Sequence, residues 1–367
     1  MKVRHARAVA ARWVREHAST APDFAGAFLS GSSVWLPEDA ELPAASDIDV
    51  MVVTTAPRPP AKLGKFCWDG VLLEVTYLTW NEIPSAEAVL ADYHLAGCFR
   101  TDTVLADPTG RLTDLHERCA ARYAERPWVL RRCAAARARI VDGLGALRTA
   151  RGPGTMRART ADGPGALRVG DPPHDQVTAW LFPTGVTTHV LLTAGLRNPT
   201  IRLRYLAART LLEEYGHADV HEELLALLGC ADMTRRRGGE HLRAMTAAFD
   251  AAARVAATPF PFSSDITPAA RPIAVDGGQT LIDRGDHREG VFWTAATYAR
   301  CLKILAHDTP ETYATFTPGF AALRTDLDIP TPTALTRRAT DVLTFLPRLW
   351  KVAEAILDAN PDVRGVL

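Results

Sequence analysis

The hydrophobic pattern of the 367-residue chain changes near residue 115, and this change constrains the fold more than any other feature. Before it, runs rich in Val, Ile, Thr and Tyr predict strands over 46–55, 71–79 and 103–106. A helix is predicted over 1–20, where apolar residues recur at helical spacing. The first part of the chain therefore has the mixed helix and strand pattern of an α/β unit.

Beyond residue 115 the periodicity is helical almost throughout. Residues 115–150 predict one long helix or two. The same spacing predicts further helices over 175–194, 201–215, 219–229, 240–257, 289–306 and 332–358. Gly216 and Gly229 stand where C-terminal caps belong. Pro and Gly are dense over 151–173, which predicts a linker, and 258–288 predicts an irregular crossover.

Composition excludes several classes of partner. The chain carries 42 basic and 42 acidic side chains, whereas nucleic-acid and membrane-surface binding need a cationic excess. No apolar run approaches the roughly 18 residues of a membrane span, and the charged N-terminus is unlike a signal peptide. The six cysteines are scattered, which favours reduced structural thiols. We therefore expect a cytoplasmic protein, a monomer or homodimer, with no nucleic-acid or membrane partner.

Three carboxylates in the first part carry the strongest chemical signal. Asp47 and Asp49 open a hydrophobic strand, and residues i and i+2 of a strand point to the same face. Glu74 interrupts the next apolar strand, where an unpaired carboxylate would be costly. Neighbouring carboxylates repel unless a cation joins them, and oxygen ligands suit Mg²⁺. Upstream, Gly31 and Ser32 follow a short apolar run, so the pattern predicts a magnesium site near a Gly-Ser turn.

The order Gly-Ser, then Asp-x-Asp, then a third acid on a later strand resembles the polymerase-beta-type nucleotidyltransferase superfamily. Within it, the chain is most similar to aminoglycoside adenylyltransferase-like members, which append a helical C-terminal domain. The resemblance is specific over 28–110 and only architectural beyond that range. It implies an α+β fold: an N-terminal nucleotidyltransferase α/β domain with a small mixed sheet over 1–115, connecting helices and a linker over 116–173, and a helical C-terminal domain over 174–367 that closes the active-site cleft.

The resemblance also implies roles for single residues. Asp47 and Asp49 match the metal-binding pair of the family. Glu74 matches the third acid, which is expected to bind metal and to act as general base for the acceptor hydroxyl. The turn residues implied to hold the β- and γ-phosphates are Gly31, Ser32 and Ser33.

Basic residues of the helical domain help to hold the triphosphate in the resembling enzymes. Candidates for this role here are Arg204, Arg209 and Lys303. For Lys303 the alternative is a lysine that extends from an apolar helix to the surface.

The charged segment 283–293 has two interpretations. Its basic side chains Arg284, His287 and Arg288 are candidates for contacts with triphosphate or acceptor. Alternatively, Asp286 and Glu289 form a capping box before the apolar helix that follows.

The reaction implied is transfer of a nucleoside monophosphate, AMP from ATP first of all, to a hydroxyl of a small acceptor such as an aminoglycoside-like antibiotic. Pyrophosphate would be released. Two Mg²⁺ ions are expected, with ATP or another nucleoside triphosphate as co-substrate. Two alternatives stay open: a protein side chain as acceptor, as in antitoxin-like enzymes, and a nucleotide-binding regulatory protein without turnover. The chain has no Walker, HExxH, GxSxG or strand-linked GxGxxG motif.

Overall fold

The computed structural model describes residues 1–149 and 170–365 of the chain. They form two compact units. The first comprises Met1–Ala135, Leu196–Thr200 and the described residues from Asn360 on. The second comprises the described residues of Ala136–Gly195 and Ile201–Ala359.

The predicted domain limits, 1–115, 116–173 and 174–367, stay predictions. Of the predicted linker, only residues 170–173 belong to the described part of the chain. The fold class is α+β, as predicted, because the first unit contains a small mixed sheet and the second is helical.

The first unit combines helices and strands around one sheet. Its elements are α1 (Val3–Glu16), β1 (Phe24–Ser30), β2 (Ile48–Thr54), β3 (Gly64–Trp68), β4 (Val71–Thr79), α2 (Ala86–Ala91), β5 (Val104–Ala106), α3 (Arg111–Arg122) and the first part of α4 (Arg126–Thr149). The strand order is β3-β4-β2-β1-β5. Only β2 and β4 are parallel, and the other neighbouring strands pair antiparallel.

Three of these strands, β2, β4 and β5, lie where the sequence predicts them, whereas β1 and β3 have no predicted counterpart. The β1 sequence FAGAFLS is poor in β-branched residues, and it becomes a strand because β2 and β5 flank it and bury it. The short β3 pairs with β4 through the two-residue turn Asp69-Gly70. Asp69 has φ 48° and Gly70 has φ 75°, as a tight hairpin turn of the I′ type requires.

The sheet is covered on both faces. On one face, Val9, Ala10 and Trp13 of α1 share a core with Ile48 and other apolar residues of β2 and β4. On the opposite face, a second core near the ends of β2 and β4 includes residues of α2 and α3. The alternation along β2 and β4 places Asp49 and Glu74 on this second face, nearer the start of each strand.

The second unit is helical in its described residues. Its helices are the rest of α4, α5 (Pro173–Ala194), α6 (Arg204–Glu214), α7 (Ala218–Leu228), α8 (Arg235–Val255), α9 (Gly277–Arg284), α10 (Val291–Asp308), α11 (Pro310–Asp326) and α12 (Pro332–Ala359). The mostly buried α10 packs against α5, α8 and α11.

Each helix predicted beyond residue 115 is present, and the described part of the chain contains two additional helices, α9 and α11. Of the two alternatives predicted for 115–150, one long helix or two, the structure has two, α3 and α4. Segment 258–288 contains α9, and α11 has no predicted counterpart because Pro310 and Pro318 interrupt its pattern. Gly229 is a left-handed C-cap, and Gly216 follows α6 with φ 74°, as the sequence predicts.

Two further findings concern the chain as a whole. Among the described residues, no helix has the length and apolar character needed to cross a membrane. All six cysteines are free, and five of them are buried.

Candidate functional site

The register of the sheet brings four polar side chains into one row across four strands. Ser30 of β1 pairs with Asp49 of β2, Asp49 pairs with Glu74 of β4, and Glu74 pairs with Lys65 of β3. Directly paired residues project from the same face of a sheet. Asp47 precedes Asp49 by two residues and joins this face at the start of β2. Parallel pairing of β2 with β4 thus brings together the three acids that the sequence predicts.

The three carboxylates form a compact, largely buried cluster. One oxygen from each of Asp47, Asp49 and Glu74 lies within 4.8 Å of the others, and Glu74 is 9% exposed. Burial raises the pKa of Asp49 well above its ordinary value, and the charges of Asp47 and Glu74 raise that pKa further. Burial also raises the pKa of Asp47, although Lys65 partly offsets the shift.

These donors fit a divalent cation. All three are carboxylate oxygens, the donor type that Mg²⁺ and Mn²⁺ prefer. A shared cation would relieve the mutual repulsion that raises the pKa of Asp49. The residues that would hold such an ion are Asp47, Asp49 and Glu74.

Two lysines that the sequence analysis did not select reach the same cluster. The Lys65 Nζ lies 2.8 Å from Glu74 Oε2 and 3.4 Å from Asp47 Oδ2, and its side chain is 6% exposed. The Lys62 Nζ contacts the other oxygen, Glu74 Oε1. The signal that could have found Lys65 is the Asp69-Gly70 dipeptide, because a two-residue hairpin turn fixes which residue of β3 faces Glu74.

Gly31 lies directly against Asp49. It has φ 67°, and a Cβ added at this position would overlap the Asp49 carboxylate. The position therefore needs glycine for its backbone conformation and also for the close approach. The neighbouring Ser32 Oγ lies 3.3 Å from the Oγ of Ser46, the residue before Asp47. The Gly-Ser turn and the start of β2 are thus in contact.

The rest of this turn is held by buried hydrogen bonds. The Ser33 side chain is fully buried, and its Oγ lies 3.3 Å from the Ser30 carbonyl, to which it donates. Arg7 of α1 donates to the carbonyls of Ser33 and Leu36, at 2.5 and 3.0 Å. The Ser33 hydroxyl is thus engaged within the turn, and its predicted role in phosphate binding stays a prediction.

Arg204 and Lys303 belong to the helical unit, where each contacts other residues of that unit. Arg204 is buried, donates from Nε to the Ile201 carbonyl at 2.8 Å, and stacks on the Phe292 ring at 3.9 Å from its centroid. Lys303 Nζ lies 2.6 Å from Asp175 Oδ1. Their predicted contacts with triphosphate stay predictions, and a phosphate would have to compete with these partners.

Arg209 also has partners within the helical unit. It donates to Asp286 Oδ1 and Glu289 Oε1, both at 2.7 Å. The capping-box interpretation of Asp286 and Glu289 is therefore wrong. The helix begins at Val291 with Gly290 as its N-cap, and the two acids pair with Arg209 instead. A triphosphate-binding role for Arg209 stays a prediction.

Comparison with known proteins adds little to this geometry. No family model and no curated protein matches the chain. Among solved structures, the chain is similar to a nucleotidyltransferase-like protein from Exiguobacterium sibiricum 255-15, with a TM-score of 0.28 and 12% identity over 75% of this chain and 92% of that one. A likeness of this degree carries no argument about fold or activity. The case for a function depends on the side chains of β2, β3 and β4.

Proposed function

We propose that this protein is a divalent-cation-dependent nucleotidyltransferase, which transfers a nucleoside monophosphate from a nucleoside triphosphate to a hydroxyl group. One observation carries the proposal: carboxylate oxygens of Asp47, Asp49 and Glu74 lie within 4.8 Å of one another. The cluster lies beside the tightly fitted Gly31. The resemblance of the Gly-Ser, Asp-x-Asp and third-acid motifs to the superfamily supports the same conclusion.

The reaction is a displacement at phosphorus. The acceptor oxygen forms a bond to the α-phosphorus, the bond from that phosphorus to the bridging β-oxygen breaks, and pyrophosphate leaves. Glu74 would take the proton of the attacking hydroxyl. Bound Mg²⁺ ions, two by the resemblance, would supply positive charge near the attacking and leaving oxygens.

The other residues of the site have supporting roles. Asp47 and Asp49 would hold the cation. Asp49 lies on β2 and Asp47 directly before it, so they need not rearrange to do so. Gly31 lets the turn approach the Asp49 carboxylate closely, and the Ser32 hydroxyl could donate to a phosphate. These roles apply to the residues of the first unit alone.

The finer proposal is AMP from ATP, with a small hydroxylated molecule such as an aminoglycoside-like compound as acceptor. It is supported by the resemblance to the antibiotic-modifying branch, in which the third acid serves as general base. In this chain Glu74 would take that role, and it lies on β4 directly beside Asp49 of β2.

The test is pyrophosphate release from each nucleoside triphosphate with Mg²⁺ and pooled hydroxyl-bearing antibiotics and sugars. We expect wild type to release pyrophosphate only when a pool is present. Asp49→Asn should lower the rate about 100-fold or more, because a carboxylate that would hold the divalent cation is lost. Glu74→Gln should still bind the nucleotide but lose about 100-fold or more in turnover.

Glu117→Gln is the matched control, because it removes an exposed carboxylate from α3 of the same unit. It should keep wild-type activity. Equal activity in wild type and Asp49→Asn would contradict the proposal. Nucleotide binding by wild type without turnover in any pool would favour the nucleotide-binding regulatory alternative.

A further inference from the structure

Both oxygens of the Glu74 carboxylate are in contact with ammonium groups. Lys65 Nζ lies 2.8 Å from Oε2, and Lys62 Nζ contacts Oε1. A carboxylate engaged in this way is less available to a metal ion or a proton than one with an oxygen open to the site. For Glu74 to act as proposed, at least one of these two contacts has to be exchanged.

The two lysines differ in how firmly the fold holds them. Lys65 lies on β3, directly opposite Glu74 in the sheet, and its side chain is 6% exposed. Lys62 precedes β3 in an irregular stretch that follows Pro57, Pro59 and Pro60. Its side chain is 34% exposed. The Lys65 ammonium cannot move away from Glu74 without disturbing the pairing of β3 with β4. The Lys62 side chain can instead rotate into solvent.

Repulsion between cations determines which ammonium group a bound metal ion would displace. The cluster brings together three carboxylates and two ammonium groups. A divalent ion bound by the carboxylates cannot share the same face of Glu74 Oε1 with an ammonium group, because two cations in contact repel. The more exposed cation is the one that costs less to release.

We propose that Lys62 is a built-in counter-ion of the acid cluster: a divalent cation that binds Asp47, Asp49 and Glu74 displaces the Lys62 ammonium from Glu74 Oε1. Lys65 stays in place and keeps Glu74 Oε2 oriented. This inference depends on the metal site of the proposed function. It implies that Lys62 competes with the metal, so its removal strengthens metal binding.

The test measures Mn²⁺ binding to the full chain from the electron paramagnetic resonance signal of free Mn²⁺. Lys62→Met keeps the side-chain length but removes the charge. It should bind Mn²⁺ about three- to fivefold more tightly than wild type, which corresponds to the free energy of a partly exposed ion pair. Lys62→Arg restores the charge and should match wild type. Asp49→Asn should abolish Mn²⁺ binding both in wild type and in Lys62→Met. This result would show that the measured ion lies at this site.

Lys2→Met is the control for net charge. Lys2 pairs with Glu41 at 2.9 Å and is 45% exposed, so its loss changes the total charge equally without touching the cluster. We expect wild-type Mn²⁺ affinity for this variant. Unchanged affinity in Lys62→Met, or an equal gain in Lys2→Met, would overturn the inference.

Different results would contradict the Lys62 inference and the proposed function. If Mn²⁺ binds with the expected Lys62→Met gain but no acceptor pool gives pyrophosphate, the inference holds and the transferase proposal fails. If neither wild type nor Lys62→Met binds Mn²⁺, both are overturned. Circular dichroism of each variant shows whether a loss of binding comes from unfolding.

Discussion

At the scale of single residues, the contact between Gly31 and Asp49 is the tightest constraint on the site. Gly31 needs a positive φ, and the Asp49 carboxylate occupies the space that a Cβ would take. Two separate requirements therefore exclude other residues here. They can be separated because Gly110 has the first requirement without the second.

We expect Gly31→Ala to lower the free energy of unfolding by about 3 kcal/mol and to abolish Mn²⁺ binding. Gly31 combines φ 67° with ψ −158°, a conformation that costs a residue with a Cβ about 2 kcal/mol, and overlap with Asp49 accounts for the rest. Urea unfolding and Mn²⁺ titration of the same preparation measure both effects.

Gly110→Ala supplies the comparison. Gly110 has φ 74°, and no described atom lies within 4 Å of a Cβ built there. Gly110→Ala should lower the free energy of unfolding by about 1 kcal/mol and leave Mn²⁺ binding intact. Similar unfolding energies for the two variants would mean that the Asp49 contact is not a constraint.

Hydrophobic periodicity alone predicts the acids of the site, but it does not predict the lysines. Asp47 and Asp49 are two residues apart on an apolar strand, so their shared face follows from strand geometry alone. Glu74 is conspicuous because it interrupts an apolar run. Lys62 lies just before β3 and Lys65 lies on it, and periodicity does not reveal this strand. Their shared partner Glu74 is visible only once the register is known.

At the scale of elements, the two-residue turn of the β3–β4 hairpin determines which residue of β3 lies beside the acid cluster. Trp68 and Val71 flank the turn as a pair, and the antiparallel ladder then places Lys65 opposite Glu74. The strands with β-branched residues, β2 and β4, could be predicted from composition. The Ala- and Gly-containing β1 could not, because its strand conformation depends on its neighbours in the sheet.

Lys65→Met should destabilise the protein in the absence of divalent ions. It leaves Glu74 and Asp47 without their buried cation, and such an unmatched charge costs about 3 kcal/mol. Mg²⁺ should restore part of this loss, because it binds the folded cluster and not the unfolded chain. Urea unfolding in EDTA and in Mg²⁺ measures the difference.

The matched change is Lys62→Met, which removes a half-exposed ammonium from the same carboxylate. It should cost less than about 1 kcal/mol in EDTA. If Lys65→Met is as stable as wild type without metal, Lys65 does not support the cluster.

At the scale of the whole molecule, buried histidines make stability depend on pH. His174 at the start of α5 is 3% exposed, and burial lowers its pKa to about 4. Asp175 opposes the shift and Lys303 adds to it. Burial also lowers the pKa of His221 and His241 in the same unit.

The sign of the effect follows from proton binding. Between pH 6.5 and pH 4 the unfolded chain protonates His174 while the folded protein does not, so acid favours unfolding. We expect the His174 contribution to lower the free energy of unfolding by about 2 kcal/mol between pH 6.5 and pH 5. Urea unfolding followed by tryptophan fluorescence reports it, and Trp180, fully buried in the same helix, is one of the eight tryptophans that contribute.

His174→Gln should reduce this loss, whereas His5→Gln, at an exposed position of α1, should leave it unchanged. A pH profile that is the same in His174→Gln as in wild type would contradict the assignment. The helical content of this unit is evident from the sequence. Its charge pairs are not, because the partners of Arg209 lie 77 and 80 residues away along the chain.

The Asp69-Gly70 turn limits how the gene for this protein can change. It is exposed and far along the hairpin from the carboxylates, a position where insertions are normally harmless. Here, one extra codon that slipped the ladder would turn Lys65 to the opposite face and bring an aromatic or a glycine against Glu74. Substitution at Gly70 is governed by backbone conformation, because no described atom lies within 4 Å of a Cβ built there, and Asp69 also pairs with Arg12 of α1. The length of the turn is as constrained as the identity of a residue in the cluster.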